Sequence, residues 1–190
     1  MKRLNPTQFD WLLDLAESTL HEVLGLPGRT LPPPDGGLIT APGASFVTLM
    51  HDERLRGCIG TLEAVRPLHE DVRANTRAAA LDDPRFPPLR REELAGLELS
   101  LSVLSPPAPL DFIDERDLVE QLQPGIDGVI LEADSHRGTF LPSVWSTLPD
   151  PVEFLIQLRR KAGLPGDLPL ERTTLWRYTT ESASRRLTPA

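Results

Sequence analysis

SFVTLMHDERLRGCIGTL, residues 45–62, holds two alternating runs separated by HDER. Alternation of this kind predicts two strands, and the polar break between them predicts the turn of a β-hairpin. Successive residues of a strand face opposite ways. Within LRGCIG, residues 55–60, Leu55 and Ile59 are therefore expected on the core face, and Arg54, Arg56 and Cys58 on the other. A thiol beside guanidinium groups has its thiolate stabilised, which raises its reactivity. Cys58 is thus the candidate catalytic residue, as a nucleophile or redox thiol. Arg56 is a candidate ligand contact. Gly57 and Gly60 join it, because a missing side chain lets a ligand or another backbone approach closely. Packing is the competing reading. Free cysteines are among the most buried residue types, and the glycines can mark a bulge that breaks the alternation. His51 and His69 are the nearest histidines in sequence, and neither has the spacing of a nucleophile's base.

Downstream, Pro67 opens a helix through PLHEDVRANTRAAALDD, with Leu68, Val72, Thr76 and Ala79 on one side. Arg73 and Arg77 lie one turn apart and share a face. Arg85 and Phe86 follow in DPRFPP. Arg56, Arg73, Arg77 and Arg85 are candidates to converge on an anionic small molecule, with a solvated face of ion pairs to Glu70, Asp82 and Asp83 as the alternative. The proline-punctuated segment to Leu94 reads as irregular with one helical turn at its end. LELSLSVLS then alternates cleanly as a half-buried strand.

Upstream, Asn5, Pro6 and Gln8 form a helix start with the pattern of a capping box. Apolar residues from Phe9 to Leu24 keep helical spacing until Gly25. Residues 25–44, with Pro32, Pro33 and Pro34 in a row, form a long loop, read as an ordered wrap or a mobile lid. In the second half, DERDLVEQL reads as a short helix and GIDGVILEA as a strand. DSHRG reads as a turn and TFLP as a strand that Pro142 stops. Asp150 and Pro151 begin a helix that Gly163 ends, and TTLWRYTT is expected as the last strand. His136 and Arg137 fall at a hairpin tip, and Trp145 covers a core edge or lines a pocket. Residues 45–104 and 126–180 share one order of elements, which suggests a duplicated unit, in pattern rather than in letters.

The chain has 190 residues, one cysteine and a net charge of −8. This suits a single domain over 1–190, with lobes expected at 1–107 and 108–190. One cysteine excludes an internal disulfide and any multi-cysteine metal site. The four histidines, His21, His51, His69 and His136, never pair at i, i+4, so no metal site is expected. No phosphate loop or nucleophile elbow occurs, and no cofactor is called for. Residues 54–91 carry eight arginines against five acids, a local +3, whereas the rest of the chain is −11. That island suits a small anion, while the acidic whole argues against nucleic acid. No apolar run approaches the ~20 residues of a membrane span. The N-terminus lacks the apolar core of a signal peptide, so a cytoplasmic location is expected.

The chain resembles the AMMECR1 domain family, also called AmmeMemoRadiSam system protein A. LRGCIGTL (55–62), AAALDDPRFPPL (78–89), ELSLSVLSPP (98–107), GVILE (128–132), RGTFLPSVW (137–145) and FLIQLRRKAGL (154–164) carry the resemblance, in the family's order. Ser143 departs from the glutamine that often follows Leu-Pro there. The resemblance implies an α+β fold of two β-α repeats forming a mainly antiparallel sheet flanked by helices. It implies a ligand- or partner-binding module, and as partners a Memo-like protein of the class III dioxygenase fold and a radical SAM protein. It brings no established reaction. By family analogy Arg56, Gly57, Cys58 and Gly60 form the site, with Arg85 and Phe86 as lesser members.

Overall fold

A computed structural model describes residues 4–32 and 36–187. Lys2 of the N-terminal stretch, and Pro33 and Pro34 of the triple proline, lie outside the described residues. The fold is α+β, and its strands divide between two four-stranded antiparallel sheets, each in its own compact unit.

The first unit runs up to Leu104 and resumes at Glu181. Helix α1 spans Pro6–Val23, and the Asn5–Gln8 capping box closes its start as the sequence predicts. Strands β1, Ser45–His51, and β2, Arg54–Gly60, form the hairpin. Asp52 and Glu53 both take positive φ, the conformation of a two-residue turn matched to strand twist. Helix α2, Leu68–Leu81, and strand β3, Leu97–Leu104, follow. The core joins Leu12, Ala16 and Leu20 of α1 to Val72 and Ala79 of α2. Both helices pack on Val47, Leu49, Leu97, Leu99 and Leu101 of the sheet.

Two polar features hold this unit in register. Asp71, 0% exposed, accepts hydrogen bonds from the Ser45 amide and hydroxyl, Thr61, Arg66 and Asn75. A buried carboxylate is tolerable only when its oxygens are matched in this way. It ties α2 to the start of β1 and to the residue after β2. The long loop is anchored on α1, where Trp11 donates to the Pro32 carbonyl and Ser18 exchanges hydrogen bonds with the Arg29 backbone.

The second unit spans Ser105–Thr180. It contains β4, Ala108–Pro109, α3, Glu115–Gln121, β5, Gly128–Ala133, β6, His136–Phe140, α4, Pro151–Lys161, and β7, Thr174–Tyr178. Trp145 is a core residue here. Its ring stacks on Phe154 at 3.8 Å between centroids, and its indole N–H reaches the Asp127 carbonyl. Tyr178 is buried against Gly128, where a Cβ would meet its ring. Burial pushes its hydroxyl up to about 12, against a hydrogen bond to Thr139.

Three expectations are corrected. Leu55 does not face the core: it is 38% exposed, because β2 bulges between its pairings with Leu49 and Met50. β6 begins at His136, since Asp134 takes a left-handed conformation and tightens the turn. TTLWRYTT is not the last strand. β8, Thr180–Arg186, follows and pairs beside β3. Its polar sequence, TESASRR, hides it, but Arg185 bridges to Asp14 and Glu17 of α1 and holds it there.

The two units repeat one connectivity. Each has a hairpin, a helix and a return strand beside the hairpin's first strand, with orders β2-β1-β3 and β6-β5-β7. At one point the match reaches letters. Arg56-Gly57 and Arg137-Gly138 occupy like places, and each glycine faces the last turn of its own unit's helix or its cap, at Ala79 or Ala162. Among the described residues no helix is long and apolar enough to cross a membrane.

Candidate functional site

The site is built on the outer edge of β2, the edge strand of its sheet. Cys58 pairs across the hairpin with Thr48, and the Thr48 hydroxyl donates to the Cys58 sulfur at 3.3 Å. The Cys58 amide and carbonyl point the other way, off the sheet. Side chains satisfy both groups there: Asp83 Oδ2 accepts the Cys58 N–H at 2.9 Å, and Arg85 Nη2 donates to its carbonyl at 3.2 Å. Asp83 and Arg85 thus take the place of a neighbouring strand, which protects an otherwise sticky edge.

The DPR turn makes this possible. Asp83 Oδ1 accepts the Arg85 N–H two residues on, a local aspartate turn. Arg85 also grips the same carboxylate through Nε and Nη2, at 2.9 and 2.7 Å. Asp83 is buried, yet its carboxyl is held well below the usual carboxylate range. The hydrogen bonds from Arg85 act first, against burial, and the Cys58 amide adds to them. Arg85 is pushed up, first by its hydrogen bonds to Asp83, against burial. The charge of Asp83 and the charge and hydrogen bonding of Cys58 contribute further.

Arg56 sits at the bulge and forms a bidentate pair with Glu93, at 2.6 and 3.0 Å. Glu93 is lowered by that pair, against burial, and it also caps the Arg90 amide. Phe86 lies beside both cations, with its ring centroid 5.9 Å from the Arg56 guanidinium carbon and 5.5 Å from that of Arg85. Aromatic faces attract cations at this range.

The structure therefore gathers Arg56, Cys58, Arg85 and Phe86. Arg77 stands apart, exposed on the side of α2 away from Val72 and Thr76. Gly57 and Gly60 are close-approach positions, and protein fills the space at both. A Cβ on Gly57 would lie 2.2 Å from the Ala79 carbonyl oxygen, and one on Gly60 would lie 2.2 Å from the Phe46 ring. Sequence reading missed Thr48 and Glu93 as members of the group and named Asp83 only as an ion-pair partner of the arginines, which it is for Arg85. Asp83 had a local signal, an aspartate two residues before an arginine across a proline. Glu93 had none.

The family model for AMMECR1 matches residues 13–183. The chain belongs to the AMMECR1 family. A protein of Thermococcus onnurineus (strain NA1) is 37% identical over 195 residues, covering 95% of this chain and 92% of its own. A protein of Methanothermobacter thermautotrophicus is 43% identical over 125 residues, which is 64% of each chain. The crystal structure of an uncharacterised protein from Pyrococcus horikoshii superposes with a TM-score of 0.83 at 33% identity, covering 95% of both chains. In this AMMECR1 domain the LRGCIG and DPRF segments, far apart in sequence, form one hydrogen-bonded group.

Proposed function

We propose that this AMMECR1 domain is a recognition module whose working surface is the Cys58 edge of β2. The observation that carries this reading is the pairing of its charges. Arg56 and Arg85 each already hold a carboxylate, and the Cys58 sulfur takes a hydroxyl. Internally matched groups make a rigid surface that costs little to preorganise, as binding sites require. Arg85, half-exposed, keeps donors free toward solvent for an anionic group on a small molecule or a partner. The partners of this reading are a Memo-like protein and a radical SAM protein, with the cytoplasm as the compartment.

The test is interferometry with both partner proteins from the same genome, against the wild type and Arg85→Ala. Saturable binding that weakens at least about tenfold in the variant supports the reading. Failure of the wild type to bind either protein overturns it.

A second reading, an enzyme acting through the Cys58 thiolate on an anionic small molecule, is favoured by one observation. Arg85 Nη2 donates to the Cys58 carbonyl at 3.2 Å, which brings a guanidinium to the residue that carries the thiol. Alkylation rates across pH decide it. Titration well below the ordinary ~8.5 of a free thiol supports a nucleophile, and titration at or above that value rejects it.

A further inference from the structure

Arg159 of α4 is 3% exposed. Its Nη1 donates to the Gly166 carbonyl at 3.0 Å, and its Nη2 to Glu115 at 3.2 Å. Its Nε is buried with no acceptor among the described residues. A buried charge is costly unless its donors are matched, and here one carbonyl and a half-exposed carboxylate match only part of the fork. Arg159 is one of the residues lining a cavity of about 610 Å³ within the second unit, a size typical of small-molecule sites.

The rest of the lining has two further characters. Val152, Ile156 and Leu168 supply an apolar wall. Asp167 and Glu171 supply negative charge close to it. A simple anion would be repelled by these acids, and a simple cation by Arg159 and Arg160. We infer that the cavity is a site for a free α-amino acid with an aliphatic side chain. Its carboxylate displaces Glu115 and spans Nη2 and Nε, which share one edge of the guanidinium and suit bidentate binding. Its ammonium meets Asp167 and Glu171, and its side chain lies along Ile156 and Leu168. This inference stands apart from the Cys58 edge and does not depend on it.

Calorimetry on the full chain tests it, with L-leucine, leucinamide and 4-methylpentanoate as probes. Leucine binds saturably, and each analogue, lacking one charge, binds at least about tenfold more weakly. Glu115→Ala removes the competing carboxylate and tightens leucine several-fold. Ile156→Trp fills the cavity and abolishes binding. Absence of saturable leucine binding up to about 10 mM overturns the inference. So does an analogue that binds as well as leucine. The analogue comparison uses unaltered protein, so its result does not depend on how a variant folds.

Discussion

The Asp83 carboxylate accepts the Cys58 amide N–H at 2.9 Å, which joins the DPRF turn to the LRGCIG strand through the backbone. The contact fixes the strand at Cys58, the cysteine of the candidate site. It also explains why a buried carboxylate stands beside the thiol: Asp83 serves the edge of the sheet and orients Arg85 at the same time.

Asp83→Asn is expected to destabilise the fold by about 1–3 kcal/mol at pH 7, because it weakens a charge-assisted group of four hydrogen bonds. The native pKa lies below the unfolded value of about 4, so this stability is present above pH 4 and is lost as pH falls further. Urea unfolding at pH 7 and at pH 3 measures it. The gap between wild type and variant narrows at the lower pH.

Gly57→Ala is expected to cost at least about 2 kcal/mol, and Gly60→Ala less. The first Cβ meets the backbone oxygen of Ala79, which α2 holds in place, whereas the second meets the ring of Phe46, a side chain and not backbone. Paired urea midpoints give the order. Equal losses would contradict the packing described for α2 on β2.

Arg56→Lys is expected to behave like Arg56→Ala, each costing about 1–2 kcal/mol, because an ammonium cannot reproduce the two-point contact with Glu93. Thermal unfolding compares the two, and full rescue by lysine would show that charge alone matters.

Asp71→Ala is expected to cost about 3–5 kcal/mol, more than any change above. It strands the buried Ser45 amide, removes one of the acceptors of Asn75, and leaves the Thr61 hydroxyl and Arg66 without this partner. Chemical denaturation followed by far-UV circular dichroism reads the loss.

The α+β class and most elements were legible because their signals are local. Asn5 and Gln8 announce the first helix, and the strict alternation of Leu97–Val103 announces a strand. The repeated order of elements was legible too. What stayed hidden depends on distant partners. The bulge at Arg56 shifts Cys58 into register with Thr48 and turns Leu55 outward, and nothing inside LRGCIG states that α2 will need Gly57 on its side. β8 carries no apolar pattern, since an edge strand tied down by Arg185 needs none. The sequence reading placed the candidate site at residues 55–60 and 85–86, and the structure brings those two segments into hydrogen-bond contact, but the pairing of its charges was not legible. Arg56 reads as a free cation until Glu93, 37 residues away, closes on it.

The most direct measurement is equilibrium binding of the Memo-like and radical SAM proteins to the intact chain, with Arg85→Ala as the comparison. Saturable binding by the wild type to at least one of them, weakened at least about tenfold in the variant, is the predicted result. A wild type that binds neither, or a variant that binds equally well, would contradict the assignment of the Cys58 edge as the recognition surface.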